Sequence, residues 1–196
     1  MDSDKIDAWL SQKEKELFER TLAGRRYYLE FGCGGSTELA VLSSCAKLVS
    51  VDSDLEWIQR ISAKPRIAEA VRDNRLVFEY IDIGPVGNWG MPKDETKIRN
   101  WPNYFLAPFV KYPIPYDIIL IDGRFRKACA YASFHFMVDE AVLVIHDYQV
   151  RYQYSEIERF FNLIDEVDTL AIFRKKEKIV PRHLYTAILT SLFDFR

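Results

Sequence analysis

Short apolar runs at residues 27–31, 48–52, 75–81, 116–122 and 141–145 read as strands buried in a sheet, the fourth and fifth apolar enough through their middles to be covered on both faces. The first two are each followed by a helical stretch, residues 37–42 and 55–63, the latter with Asp54 available as its N-cap. Ahead of them, residues 5–21 carry Ile6, Trp9, Leu10, Leu17 and Phe18 among charges at spacings of three and four, the pattern of an amphipathic helix, which Gly24 ends. Strands alternating with helices predict an α/β fold with a mostly parallel sheet and right-handed crossovers. Past them, residues 166–175 read as a strand pair turning near Asp168, and 183–193 as a closing helix.

The pattern breaks between residues 84 and 115, where Pro85, Gly87, Trp89, Gly90, Pro92, Trp101, Pro102, Pro108, Pro113 and Pro115 leave little room for regular structure. This stretch reads as an insertion in a single domain spanning 1–196, serving either as a substrate lid or as an aromatic cap or dimer contact.

Composition narrows the function classes. Hydrophobic residues make up 48% and charged residues 29%, so a sizeable core is expected rather than disorder. A net charge of -2 and a pI near 6.0 supply no global field for nucleic acid or anionic lipid. The polar start has no apolar run of the signal or membrane-spanning kind, which predicts a cytoplasmic protein without membrane contact. Cys33, Cys45 and Cys129 match neither a disulfide framework nor a zinc site and read as reduced thiols. A homo-oligomer is compatible with all of this.

The chemistry concentrates in Glu30-Phe31-Gly32-Cys33-Gly34-Gly35-Ser36-Thr37, at the carboxyl end of the first strand, where open α/β sheets bind ligands. Glycines there let the backbone come close to a ligand, with Cys33 and Ser36 lining the same loop. Twenty residues after Gly32, Asp52 ends the second strand, placed to accept hydrogen bonds from ribose hydroxyls with Ser53 beside it; Asp54 competes for that role. A dinucleotide and S-adenosylmethionine both suit such a pair. A dinucleotide fingerprint needs glycine at position 37, which is Thr37 here. Glu30 would repel a pyrophosphate but could pair with the amino group of a sulfonium ligand's methionine. The stretch after the fifth strand is also shorter than the substrate domain expected of a dehydrogenase.

The run resembles motif I of class I S-adenosylmethionine-dependent methyltransferases, acidic-x-Gly-x-Gly-x-Gly, with Ser36 in place of the last glycine. That resemblance implies a Rossmann-like three-layer α/β/α sandwich with a seven-stranded sheet and a C-terminal antiparallel pair. It further implies ribose on Asp52, adenine near Asp82 and Ile83, and Asp122-Gly123 beside the reacting methyl. Asp122 and His146 are the candidate catalytic residues, His146 as a general base with a pKa near neutrality. No metal site is assigned, although Asp122 and Asp147 stand where magnesium-dependent relatives carry ligands. Arg124, Arg126 and Lys127 read either as an anion-binding group or as a solvated basic face. An Asn-Pro-Pro-Tyr type signature is absent after the fourth strand, which disfavours base methylation, and the charge balance favours a small-molecule or sugar-like acceptor over a polymer. An NAD-dependent oxidoreductase and a non-catalytic cofactor-binding interaction protein are the alternatives.

Overall fold

In a computed structural model, residues 10–195 are described. Seven strands form one sheet in the order β3-β2-β1-β4-β5-β7-β6. The strands are β1 (Tyr27–Phe31), β2 (Lys47–Asp52), β3 (Leu76–Tyr80), β4 (Tyr116–Ile121), β5 (Met137–Ile145), β6 (Phe161–Val167) and β7 (Leu170–Lys175). The first five run parallel, while β7 lies antiparallel to β5 and β6 antiparallel to β7, the mostly parallel sheet with a reversed terminal pair that the chain predicts.

Side-chain alternation sorts the helices into two layers. Tyr28, Leu48, Ile118, Leu120, Val142 and Val144 pack against residues of α1 (Gln12–Leu22), α2 (Gly35–Leu42), α3 (Leu55–Ser62) and α4 (Pro65–Arg72). Leu29, Phe31, Val49, Val51, Ile119 and Ile121 face the other way, onto α5 (Trp101–Lys111), α6 (Arg126–Phe136) and α7 (Pro181–Ser191). Of the residues behind the leading-helix expectation, Ile6 and Trp9 lie outside the described residues. The rest of that helix opens on a Ser11–Glu14 capping box. Asp54 caps α3 by accepting from the Trp57 amide at 3.0 Å, as expected.

The insertion departs from expectation. Two short 3-10 turns, Asn88–Gly90 and Ile98–Asn100, lead into the regular helix α5. Pro102 stands in its first turn, where a missing N–H costs nothing. Pro108 lies inside, and the helix persists because Trp101, Tyr104, Phe105 and Phe109, three and four apart, are all buried against the sheet. Burial of four aromatic side chains outweighs the roughly 3 kcal/mol that an interior proline costs.

Candidate functional site

The tips of β1, β2 and β4 meet at the carboxyl edge of the sheet. Gly32 leaves β1 with φ +97°, and an added Cβ there would stand 2.5 Å from the Gly123 nitrogen; one on Gly123 would stand 2.2 Å from the Tyr104 hydroxyl. The two glycines therefore let the β1 and β4 exits touch, with Gly123 N donating to Phe31 O at 2.6 Å and Gly32 N to Val51 O at 2.8 Å. Gly34 has nothing within 4 Å of a would-be Cβ.

Glu30 is fully buried, on the same face as Tyr28 and Ser50. Its carboxylate accepts from the hydroxyls of Tyr28, Ser36, Thr37 and Ser50. Thr37 in turn accepts the Gly34 amide at 2.9 Å, so Glu30 grips the glycine loop from beneath through a hydroxyl relay. The carboxylate thus faces the underside of the loop. Thr37, which replaces a dinucleotide-type glycine, is a member of that relay. Burial dominates the ionisation of Glu30 and, against the four hydroxyls, raises its pKa to about 7.

A raised carboxyl pKa means the folded chain holds this proton more tightly than the unfolded chain. The stabilising contribution is complete below about pH 4.5 and is lost as pH rises to about 7, a span worth about 3 kcal/mol. Glu30→Gln removes the titration. Urea denaturation of both proteins from pH 5 to 8 is expected to show wild type losing stability relative to the variant through that window, and parallel profiles would refute the assignment.

Asp52 shares the face of Glu30 and Ser50 and is 8% exposed. One carboxylate oxygen accepts the Cys33 amide at 2.9 Å and the other accepts the amides of Ser53 and Asp54 at 2.7 and 3.0 Å. Burial raises its pKa against these hydrogen bonds. Cys33 is a buried thiol whose carbonyl accepts from the Trp57 indole at 2.7 Å, which anchors the loop to α3. Ser36 is occupied with Glu30, and the Ser53 hydroxyl lies beside Gly90 of the insertion.

At the end of β3, Asp82 pairs with Lys97 and accepts the Gly84 amide, while the buried Ile83 offers its carbonyl to the Trp101 indole at 2.9 Å. Both residues thus fasten the insertion. The ion pair with Lys97 holds the Asp82 carboxyl below its ordinary range.

Beyond β4 and β5, Asp122 Oδ1 stands 2.9 Å from His146 Nδ1 and 3.2 Å from Arg126 Nη2. Burial pushes the Asp122 carboxyl up, but the His146 hydrogen bond and the Arg126 charge outweigh it and leave it below its ordinary range. His146 goes the opposite way: burial lowers it, and Asp122 with Asp147 and Glu14 raises it. Nδ1 lies on Asp122 at 2.9 Å and Nε2 faces Glu14 of α1 at 3.9 Å, so each ring nitrogen has a carboxylate neighbour. The His146 ring ties β5 to α1 and holds Asp122, whose side chain is 33% exposed and whose Oδ2 carries no protein hydrogen bond among the described residues.

Asp122, His146 and Asp147 bring ligand-type atoms within 4.8 Å of one another. The Arg126 guanidinium already lies against both carboxylates, 3.2 Å from Asp122 and 3.4 Å from Asp147, and neutralises them without an ion. Arg126 is buried, so the basic triplet is no solvated face; Lys127, its third member, pairs with Asp194 and Glu156. The sequence pattern also missed Tyr104, Ser50 and Glu14 as supports of the site. Ser50 had a signal: a lone hydroxyl inside an apolar strand, in register with Glu30.

No family model matches the chain, and no curated protein matches it. Solved structures do. A methyltransferase-like protein from Silicibacter pomeroyi DSS-3 superposes with a TM-score of 0.81 at 25% identity, over 97% of this chain and 98% of that one. A putative caffeoyl-CoA O-methyltransferase from Staphylococcus aureus gives 0.58 at 15% identity, over 87% and 86%. The N-methyltransferase NodS from Bradyrhizobium japonicum WM9, in complex with S-adenosyl-L-homocysteine, gives 0.54 at 14% identity, over 89% and 94%. The chain has the Rossmann-like fold of class I S-adenosylmethionine-dependent methyltransferases. Among the described residues, no helix is long and apolar enough to cross a membrane.

Proposed function

We propose that the protein binds S-adenosylmethionine at the β1–β2 edge and transfers its methyl group to an oxygen of a small-molecule or sugar-like acceptor. The observation that carries this reading is the pair formed by Gly34, open on its outer side, and Asp52, held by three backbone amides in one fixed orientation at the tip of β2. Those residues fit the group: a bare backbone accommodates the methionine part and a fixed carboxylate the ribose. When bound, the sulfonium supplies an activated methyl that needs no general acid to leave.

What the chain supplies is position and field. Asp122, anionic and a third exposed, places negative charge where a sulfonium is favoured, and its Oδ2 can orient the acceptor hydroxyl and take its proton as the O–CH3 bond forms and the C–S bond breaks. Asp82 and Ile83 act at one remove, by holding the insertion over the adenine edge. Calorimetry with S-adenosylhomocysteine tests the reading. Binding is expected, weakened at least tenfold by Asp52→Ala; a well-folded sample that takes up no S-adenosylhomocysteine would overturn it.

A further inference from the structure

Arg124, just past β4, is 7% exposed and has no carboxylate partner among the described residues. Its Nε is without any hydrogen bond, and Nη1 reaches only the thioether sulfur of Met91, at 2.9 Å. A buried guanidinium left this way is costly, since its five donors seek oxygen acceptors and a thioether is a weak one. Tyr154, on the 3-10 turn Tyr152–Arg159 that follows β5, carries the other buried polar side-chain atom without a partner among the described residues, its hydroxyl. The Arg151 guanidinium lies 5.9 Å from the centre of the Tyr154 ring. The insertion closes the arrangement from above, with Gly90 packed between Ser53 and Arg124.

We propose that Arg124 and Tyr154 form a binding subsite for an oxyanion, a carboxylate or phosphate carried by the acceptor, which enters by displacing Met91 from the guanidinium. A fork of N–H donors matches such a group in two-pronged fashion, and the Tyr154 hydroxyl adds a neutral donor. Arg126 cannot take this role because its donors are spent on the carbonyls of Gly123, His146 and Asp122 and on the flanking carboxylates. Gly90 touches both Ser53 and Arg124, so the site borders the end of β2 as well as that of β4, and calorimetry separates an anion of the acceptor from one of the cofactor. Assignment of the anion to the acceptor rests on the methyl-transfer reading; the oxyanion site itself is measured without cofactor.

Thermal melts of the full chain in phosphate and in acetate, at constant ionic strength set with chloride, provide the test, alongside Arg124→Met, Arg124→Lys and Tyr154→Phe. Wild type is expected to gain about 3–6 °C at ten times Kd. Arg124→Met is expected to lose that gain while melting, in chloride alone, no lower than wild type, because an unpaired buried charge has been replaced by an apolar chain of similar length. Arg124→Lys and Tyr154→Phe should keep part of it. A gain that survives in Arg124→Met, or no gain in wild type, overturns the site. The source of the anion is settled by S-adenosylhomocysteine calorimetry: unchanged affinity in Arg124→Met supports an acceptor anion. A tenfold fall that disappears with a ligand lacking the amino-acid carboxylate would reassign the site to the cofactor and overturn the proposal.

Discussion

Gly123→Ala is expected to destabilise the protein by about 3 kcal/mol or more, and to abolish S-adenosylhomocysteine binding. The new methyl would sit 2.2 Å from the Tyr104 hydroxyl, 2.8 Å from the Gly32 nitrogen and 3.0 Å from the Gly32 Cα. None of these can yield cheaply: Tyr104 is buried on α5, packed against Phe31 and Phe125, and the other two atoms are backbone. Relief requires the β1 and β4 exits to part, which breaks the Gly123-to-Phe31 hydrogen bond and shifts the glycine loop. Gly34→Ala is the contrasting variant, since its methyl meets nothing within 4 Å and its φ of 174° is ordinary extended backbone. It should melt within a degree or two of wild type and yet bind S-adenosylhomocysteine more weakly. Urea denaturation and calorimetry on the two variants check this, and equal stability losses would show that open space over Gly34 is not the distinguishing feature.

Arg126→Met is expected to cost about 3–5 kcal/mol, the range for stripping one partner from a buried ionic cluster. The guanidinium donates to Gly123 O at 2.9 Å, to His146 O at 2.5 Å and to Asp122 O at 2.8 Å, besides touching two carboxylates. Its removal orphans three carbonyls and sets Asp122 and Asp147 against each other without a counter-charge. Partial rescue by millimolar magnesium or manganese should follow in the variant, since the remaining oxygens and imidazole lie within 4.8 Å of one another. Melting curves with and without chelator would show it. In wild type the same additions should leave the melt unchanged, and a chelator-sensitive wild type would mean that the arginine is not the neutralising group.

The first five strands and the β1 loop were legible because each of those strands was a compact apolar run; β6, exposed along most of its length, was anticipated only at its last residues. Two helices gave no such signal. α6 is buried almost all round, from Ala128 to Ser133, so it lacks the polar stripe that marks a helix, and α4 follows α3 after only Ala63 and Lys64. α5 was masked by its prolines. Within the site, the pattern located Asp52 and Asp122 at strand ends but not the direction of Glu30 or His146. Direction depended on partners distant in sequence: Ser50, on the neighbouring strand, for Glu30, and Glu14 of α1 for His146. Arg124 and Arg126, two positions apart and alike in sequence, diverge because one finds carbonyls and carboxylates and the other a thioether.

The strand order also bears on how the chain is made. β1 pairs on one side with β2, Tyr28 opposite Leu48, and on the other with β4, Tyr28 opposite Ile118. During synthesis the first edge can be satisfied soon after emergence, whereas the second waits for about 90 more residues, roughly 5–20 s at ordinary elongation rates. Throughout that interval the nascent half-sheet presents Leu29 and Phe31 without their α5 and α6 cover, beside an unpaired strand edge. Ribosome-bound intermediates stalled before β4 should therefore be the species most dependent on chaperones.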